Sequence, residues 1–385
     1  MKKSLFVLLI VALAFCVMLV SCKSDPKPIE TGDDGAIHAT TFTEFVKGLA
    51  SAKKTESKTL ILDADIVWDA TKYPGGADVT VATEEVASYK KGTKITLTSV
   101  LRPNESALSV DVTGLTIDLG GHKITGVPTN AFNLKGDSFT LKNGQILGAG
   151  DNAKYSININ YNGRNASTSN GLKELALDRT PSAYTDSDAA WSKRVVVDGI
   201  TATGMLCGFS TVEIKNSSFT DGAYRGLVLQ GSSGIVENVT VEAPSASSAG
   251  FVAHSYGTVL VKGTCSFKGK FGVYSAMCPN LIFDPTAVVT ASGASTYALY
   301  LETQGKITIS AGATITLAPK SGNASFYMRT GSMVDIATGA VLKDSAGTAI
   351  AKPIPDSEKD LDKNGASDSA WAGYGVAPTI TDNRT

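Results

Sequence analysis

The apolar residues of this chain recur in short alternating units and not in helical periods. A small residue is followed by an apolar one, any residue and a second apolar or small one, and the first apolar residue falls at positions 108, 132, 157, 205, 227, 251, 273, 299 and 326. The steps between them are 24, 25, 48, 22, 24, 22, 26 and 27 residues. Since alternate side chains of a strand point to opposite faces, each unit predicts one strand with a buried face, repeated along the chain.

A second apolar strand follows the unit, at 115–117, 139–141, 195–197, 212–214, 259–261, 281–283 and 307–309. A tight corner comes next, at Gly121, Asn143, Asp198, Asn216, Asn238 and Gly263. These residue types tolerate the left-handed backbone that a sharp corner needs. Because recurring strands can stack turn upon turn, the pattern predicts an all-β parallel β-helix of about ten coils. The step of 48 indicates one coil with an insertion, at 161–193.

The repeat, together with Gly-Leu-Thr-Ile-Asp-Leu-Gly-Gly-His-Lys-Ile-Thr-Gly at 114–126, resembles the right-handed, single-stranded parallel β-helices of the pectate-lyase-like superfamily. The resemblance covers residues 59–350. It implies the fold, and the general rule for parallel crossovers also favours right-handed coils. It does not imply one activity, because many functions share this scaffold.

The two ends of such a stack need covering, because an open sheet edge pairs with other chains. Residues 43–50 have an amphipathic helical pattern with Thr41 or Thr43 as N-cap, just before the first strand at 60–62. We therefore predict an N-terminal cap with one helix at 36–58. Residues 351–385 are predicted to form a C-terminal cap or tail.

The N-terminal residues have the pattern of an export signal. Met1-Lys2-Lys3 precedes an apolar run from Leu5 to Val20, which is a short hydrophobic region and not a membrane span. Leu-Val-Ser-Cys at 19–22 resembles the lipobox of bacterial lipoproteins. The resemblance implies removal of a signal peptide at 1–21 and lipid on Cys22. An ordinary secretory signal with a chance cysteine is the alternative.

The residues after this cysteine predict where the protein is held. Residues 22–35 are polar and contain prolines and glycines, which is typical of a flexible tether. By resemblance, Lys23 after the cysteine implies the outer membrane. Lys-Ser-Asp at 23–25 is similar to surface-export signals of some Gram-negative groups. We expect an outer-membrane lipoprotein at the cell surface, with the membrane as partner through its lipid anchor.

Charge and cysteine content exclude some classes of partner. Without the two lysines of the signal, 33 basic residues face 36 acidic ones, a net charge of -3. There is no basic patch, which argues against a nucleic-acid partner. The cysteines outside the signal and the lipid position are Cys207, Cys265 and Cys278. An odd number without a close pair predicts small buried residues and not a disulfide framework or a zinc site.

With the coils in register, the outward residues of the first strand form two columns. The first contains Ser109, Asn133, Asn158, Leu206, Val228, Val252, Tyr274, Tyr300 and Tyr327. The second contains Asp111, Lys135, Asn160, Gly208, Gln230, His254, Ala276, Glu302 and Arg329. The three tyrosines predict an exposed ladder that, bordered by His254, Glu302 and Arg329, suits sugar rings. The alternative is a cross-strand aromatic stack that only stabilises the sheet.

The insertion leaves the chain directly after one of these strands, so we expect it to overhang the same outward face. It contains Tyr161, Arg164 and Trp191. Long loops on a rigid scaffold often carry binding residues. These side chains could wall a groove beside Asp111, Lys135 and Asn158. An ordinary variable surface loop is the alternative.

Sequence motifs for catalysis are missing. The chain contains no His-Glu-x-x-His, Gly-x-Ser-x-Gly, phosphate-binding Gly-Lys-Ser/Thr or Cys-x-x-Cys. The resemblance implies that enzymes on this fold use clustered aspartates, or an arginine or lysine base with calcium, on outward strand faces. The candidates of this kind are Asp111, Lys135 and Asn158. Paired carboxylates at glycosidase separations are not evident in the columns.

A calcium-loop spacing occurs at 360–368. The oxygen ligands at positions 1, 3, 5 and 9 would be Asp360, Asp362, Asn364 and Asp368. Gly365 supplies the turn at position 6, as a hard cation with converging oxygens needs. The segment resembles EF-hand and dockerin-type loops, but Trp371 stands at position 12, which removes the bidentate carboxylate. A solvated acidic turn is the alternative.

The expected function is a binding or adhesion module, for a glycan or extracellular matrix, without catalysis. A polysaccharide lyase or glycoside hydrolase is the first alternative, because the insertion could add catalytic groups. A structural surface protein without a specific ligand is the second. Calcium is the one candidate cofactor.

Overall fold

The computed structural model shows a solenoid. It describes residues 31–52, 58–75, 80–87, 94–102, 107–150, 154–160, 193–208, 210–220, 225–243, 249–254, 257–276, 280–302, 305–329, 331–351, 371–373 and 379–384. The chain forms an all-β parallel β-solenoid of about nine turns. The repeat in the sequence is therefore confirmed as the repeat of the fold, with close to the predicted number of coils.

One sheet, which we call sheet 1, consists of the strands predicted from the alternating unit. Its ten parallel strands are Leu108–Asp111, Phe132–Lys135, Ile157–Ile159, Met205–Gly208, Arg225–Gln230, Ala249–His254, Val273–Ala276, Leu299–Leu301, Phe326–Met328 and Trp371–Gly373. Each strand comes from the next turn of the chain, so neighbours in the sheet are neighbours along the solenoid axis.

The remaining strands of the coils form sheet 2, which has twenty strands in two rows, A and B. The long strands Phe139–Gly148 and Val195–Thr203 run through both rows. The other strands of row A are Ile37–Ala39, Thr59–Leu62, Thr116–Asp118, Thr211–Lys215, Ser233–Glu237, Thr258–Lys262, Asn280–Phe283, Lys306–Ile309, Met333–Ile336 and Thr379–Asp382. The other strands of row B are Ile66–Val67, Lys123–Val127, Ser218–Thr220, Thr240–Glu242, Thr264–Gly269, Val288–Gly293, Thr314–Ala318 and Val341–Asp344. Most coils therefore have three strands, where the sequence predicts two.

The corner between rows A and B explains why the third strand is hard to see in the sequence. A left-handed backbone occurs at five of the predicted corner residues, which are Gly121, Asn143, Asn216, Asn238 and Gly263. In the remaining coil the prediction of Asp198 is wrong by one residue, because Gly199 has the positive φ of 64°. One left-handed residue marks the turn in most of these coils, and Gly120 and Gly121 together mark it in the first, so rows A and B follow each other closely and read as one apolar run.

Amides and carboxylates of adjacent coils also connect along this corner. Asn143 Nδ2 donates to Asp118 Oδ1 at 3.2 Å, and Asn216 Nδ2 donates to Asp198 Oδ1 at 2.9 Å. Asn238 Nδ2 in turn donates to Asn216 Oδ1 at 3.4 Å. These hydrogen bonds run between coils and help to fix the register of the stack.

Inward side chains of all three strands fill one continuous core. The large side chains with less than 2% exposure include Phe132, Phe219, Phe251, Phe267, Phe283 and Phe326. Cys207 and Cys265 lie buried, as predicted for small residues in stacked coils. Burial raises the pKa of the Cys207 thiol to about 12 and that of Cys265 to about 11, so neither is a reactive thiolate at neutral pH. Cys278 lies outside the described residues.

The predicted capping helix is confirmed at Phe42–Ser51, with Thr41 as its N-cap. Thr41 Oγ1 accepts from the Glu44 amide at 3.2 Å, and Glu44 Oε2 accepts from the Thr41 amide at 3.1 Å, which completes a capping box. The strand Ile37–Ala39 precedes the helix and pairs with Thr59–Leu62, so the solenoid begins before residue 59. Within the described part of the chain, no helix has the length and apolar character needed to cross a membrane.

Two further elements differ from the sequence-based expectation. Thr80–Ala87 and Lys94–Arg102 form an antiparallel pair of their own, which the repeat did not predict. At the C-terminus, Trp371–Gly373 and Thr379–Asp382 add strands to sheet 1 and row A, so the solenoid extends past residue 351. The Arg384 guanidinium holds this end by donating to the Ile350 carbonyl at 2.9 Å and by pairing with Asp382 at 2.6 Å.

Candidate functional site

The outer face of sheet 1 carries the candidate residues in the predicted register. Neighbouring strands pair Ser109, Asn133, Asn158, Leu206, Val228, Val252, Tyr274, Tyr300 and Tyr327 in one unbroken column. In the second column, Asp111 pairs with Lys135, and Gln230 pairs with His254. Glu302 and Arg329 follow directly after the ends of their strands. The sequence therefore predicts the order of these side chains along the solenoid correctly.

Burial divides the first column into three runs. Asn133 and Asn158 are fully buried, although both point away from the main core. Leu206, Val228 and Val252 are also fully buried and form a second apolar cluster with Tyr155 and Ala249. The tyrosines at 274, 300 and 327 are only partly buried. The C-terminal run is thus the part of this column where large side chains remain accessible.

The three tyrosines form a regular stack. The ring centres of Tyr274 and Tyr300 lie 5.5 Å apart with planes 7° from parallel, and those of Tyr300 and Tyr327 lie 5.0 Å apart at 10°. Rings that stack along the solenoid axis turn their faces towards each other. The faces are therefore covered by neighbouring rings, which differs from the open ring faces expected for sugar stacking.

Two aromatic side chains that the sequence analysis missed widen this stack. Phe271 lies 4.4 Å from Tyr300, and Tyr297 lies 4.6 Å from Tyr327, with ring planes tilted by 32° and 28°. Both residues are partly exposed and stand three positions before a ladder tyrosine. That repeated spacing is the signal that could have revealed them. We call these five rings the aromatic surface.

A polar edge borders the aromatic surface. The Tyr274 hydroxyl donates to Glu302 Oε2, while Glu302 Oε1 accepts from Arg329 Nη1 at 3.2 Å. The neighbouring Tyr300, and then the Glu302 charge, raise the pKa of the Arg329 guanidinium. Close to half of the Arg329 side chain, 48%, is exposed. A carboxylate, a guanidinium and phenol oxygens therefore meet at one edge, with Arg329 able to donate to a ligand.

The tyrosines of this edge act as hydrogen-bond donors and not as bases. Burial, followed by the Glu302 charge, raises the pKa of Tyr300 to about 12. The same two causes raise the pKa of Tyr274 still further. Both phenols hence stay protonated across the physiological pH range.

Two basic side chains approach the aromatic surface from its other side. The Arg225 guanidinium carbon lies 5.8 Å from the Tyr274 ring centre, and Lys270 Nζ lies 5.3 Å from that of Phe271. These separations allow cation–π attraction. Positive charge thus accompanies the rings on both sides.

His254, predicted at the border of the ladder, is buried at 1% exposure. Burial first, and then the charge of Arg225, lowers the pKa of the imidazole to about 3. The ring therefore stays neutral at physiological pH, and it is enclosed where the prediction expected it at the surface.

The catalytic candidates lie at the opposite end of sheet 1. Asp111 Oδ1 accepts from the Thr113 amide at 3.0 Å and from its hydroxyl at 2.8 Å, as in a tight turn. Asn158 is buried, and its Nδ2 donates to Asn130 Oδ1 at 3.4 Å. Asn133, which lies on the same strand as Lys135, is five strand spacings, or about 24 Å, from Tyr274 along the column. The structure brings Asp111 and Lys135 together, but it does not bring them to the tyrosines and does not expose Asn158.

The remaining candidates lie outside the described residues. They are Cys22, Tyr161, Arg164, Trp191, Asp360, Asp362, Asn364 and Asp368. Among the residues with described positions, no group of three His, Cys, Asp or Glu side chains is placed to hold a metal ion. Calcium at 360–368 stays a prediction.

No family model, no curated protein and no solved structure matches this chain. A surface of ring edges, phenol hydroxyls, one carboxylate and one guanidinium can donate and accept hydrogen bonds along a line, next to a partly apolar strip. It supplies contacts for a polar ligand with some apolar surface.

Proposed function

We propose that this chain is a membrane-anchored surface lipoprotein whose β-solenoid is a binding module, and that the aromatic surface binds a glycan. The proposal includes the lipid on Cys22, the tether at 22–35 and an outer-membrane location, all of which rest on the sequence pattern. It also includes right-handed coils of the pectate-lyase-like kind. The fold gives the protein a rigid rod on which one face can be presented to the surroundings.

The observation that carries the proposal is the partly exposed aromatic surface with its polar edge. Sugars combine apolar C–H groups with hydroxyls, and sites for such ligands pair aromatic side chains with a few placed polar groups. Here Tyr300, Glu302 and Arg329 stand together at the edge. Because the tyrosine faces are occupied by stacking, we expect hydrogen bonds to the hydroxyls and to Arg329 to carry most of the affinity.

Catalytic use of the same residues is disfavoured by their protonation. A lyase needs a base to take a proton next to a carboxylate, and a base works best with a pKa near the operating pH. The pKa of Tyr300 is raised to about 12, in the wrong direction for this role. A purely structural role is the stronger competitor, because parallel rings 5.0–5.5 Å apart also stabilise a sheet.

The test is binding of the purified, lipid-free protein to a panel of immobilised neutral and acidic polysaccharides. We expect the wild type to bind at least one of them. Arg329→Gln should weaken that binding about tenfold or more, since hydrogen bonds to a charged group contribute about 1.5–3 kcal/mol. Tyr300→Phe, which keeps the stack but removes one hydroxyl, should weaken it about fivefold.

Lys306→Gln is the matched control, because it also removes a cation from an ion pair, with Asp335 at 3.5 Å, but on sheet 2. It should leave binding unchanged. If the wild type binds no polysaccharide, the structural role replaces the binding role. Release of unsaturated sugars or new reducing ends from any polymer would instead establish an enzyme and refute a pure binding module.

A further inference from the structure

A histidine lies between two carboxylates where the described chain enters the solenoid. His38 is in the strand Ile37–Ala39, and its side chain is 36% exposed. Its Nδ1 lies 2.8 Å from Asp63 Oδ2, and its Nε2 lies 3.2 Å from both oxygens of Asp34. Both ring nitrogens therefore face oxygen atoms of acidic groups.

This arrangement suits only the protonated ring. An ionised carboxylate has no hydrogen to donate, so each ring nitrogen must donate to satisfy its partner. The imidazolium has two N–H groups and can do so, whereas a neutral imidazole has one. In the neutral ring, the second nitrogen would direct its lone pair at a carboxylate oxygen. Loss of the proton thus breaks one of the two connections.

The weaker connection is the one to Asp34, which sits in a tight turn. Gly32 donates to the Ala36 carbonyl at 2.8 Å, Gly35 donates to the Gly32 carbonyl at 2.9 Å, and the Ala36 amide donates to Asp34 Oδ1 at 3.0 Å. The shorter bond to Asp63 joins His38 to the next coil, whose Asp63 amide also donates to the Ala39 carbonyl at 2.9 Å. The backbone of Asp63 is thus held by the sheet, whereas Asp34 lies in a turn that is joined to the strand by the Thr31–Ile37 bridge.

We propose that His38 is a pH-sensitive latch that fastens the turn at 31–36 to the solenoid as an imidazolium and releases Asp34 when the ring loses its proton. The turn is the place where the chain from the N-terminal segment joins the first strand. The latch would therefore add a pH-dependent contact to the backbone hydrogen bonds and the Thr31–Ile37 bridge that hold residues 31–36 against the rod. This inference does not depend on glycan binding.

The direction of the pH effect follows from the charges that face the ring. The hydrogen bond to Asp63, then that to Asp34, raises the pKa of His38 above its ordinary 6.5. A raised pKa in the folded state means that the latch is complete below about 6.5 and is lost as the pH rises through the folded-state value. The pKa of Asp34 is lowered, first by the Ala36 amide and then by His38, so this carboxylate stays ionised throughout.

The other two histidines supply internal controls. His122 Nδ1 has a carboxylate partner on one side, Asp65 at 3.3 Å, and Lys123 also pairs with that carboxylate at 3.4 Å. His254 is buried, and its pKa is lowered to about 3. The chain has three histidines in all, so each can be identified by one substitution.

The experiment is a pH titration of the histidine ring signals by NMR on the folded protein, with His38→Gln and His122→Gln used for assignment. We expect the His38 signal to titrate above 6.5, and its midpoint to fall in Asp34→Asn. Amide exchange at Gly32, Gly35 and Ala36, corrected for its intrinsic pH dependence, should become about two- to fivefold faster once the ring is neutral, the size expected for an exposed ion pair.

His122→Gln should leave that pH dependence unchanged, and His38→Gln should abolish it. A His38 midpoint at or below 6.5 in the native chain would overturn the latch. So would an exchange response that persists in His38→Gln. The His38 midpoint is measured on the native chain, so a low value refutes the latch even if the substitutions perturb the turn.

Discussion

Tyr300 occupies the centre of the aromatic surface, and its replacement tests whether the rings act as a structural stack. The ring packs against Tyr274 at 5.5 Å, Tyr327 at 5.0 Å and Phe271 at 4.4 Å. An aromatic pair contributes about 0.5–1.5 kcal/mol beyond its burial, so removing the ring should cost about 3 kcal/mol. Tyr300→Phe keeps all three pairs and loses only the hydroxyl, which should cost about 1 kcal/mol.

These energies translate into a measurable shift in melting temperature. Unfolding entropy near the midpoint is about 2.1 cal/mol/K per residue, or about 0.8 kcal/mol/K for a chain of 385 residues. Tyr300→Ala should therefore lower Tm by about 4 °C and Tyr300→Phe by about 1 °C, measured by circular dichroism or calorimetry at equal scan rates. Thr308→Ala, on the outer side of row A, is the control, and its free energy of unfolding should be within about 0.5 kcal/mol of the wild-type value. Equal losses for Tyr300→Ala and Tyr300→Phe would refute the stacking argument, as would a change below 1 °C for Tyr300→Ala.

Three further predictions concern other parts of the chain. Cys22→Ser should move the protein from the membrane fraction to the soluble fraction and abolish labelling with radioactive palmitate; retention of label would contradict a lipid at this position. Gly234→Ala should lower the free energy of unfolding by about 2–3 kcal/mol, because a Cβ there would collide with the Val212 carbonyl. Gly150→Ala, where there is open space but a positive φ, should lower it by about 1 kcal/mol. Equal melting temperatures of the two variants would argue against the close approach at Gly234. Thr41→Ala should remove the N-cap and lower the stability of the helix by about 1 kcal/mol. Amide exchange in Phe42–Ser51 should become about fivefold faster, while exchange in sheet 1 stays the same. Unchanged exchange in the helix would show that core packing alone holds it.

The register of sheet 1 could be predicted because every coil solves the same problem. One face of each strand must be buried, so a shift by one residue would turn its apolar residues outward. Tyr274, Tyr300 and Tyr327 therefore fall opposite each other as soon as the alternating units are aligned. The spacing of the repeat and the period of two were sufficient for this result.

Two kinds of feature could not be obtained in the same way. The pair Thr80–Ala87 and Lys94–Arg102 breaks the solenoid pattern, and an alternating strand outside the repeat looks like one inside it. The burial of His254 is the second case. Alternation shows that a residue points away from the core, but it cannot show what else packs on the outer face.

The outward column of sheet 1 also indicates which part of the solenoid should be tested for function. Outward positions of a solenoid are not constrained by the core, so neighbouring coils are free to differ, yet similar side chains occur in runs. The run of Asn133 and Asn158 and the aliphatic run that follows are fully buried, and their side chains are already used in packing and hydrogen bonding. The aromatic run is also packed together, but it stays partly exposed and is bordered by Glu302 and Arg329, which a stack alone does not require. Arg329 is 48% exposed beside the partly buried rings, where a ligand can reach its guanidinium, and the binding experiment should therefore begin with Arg329.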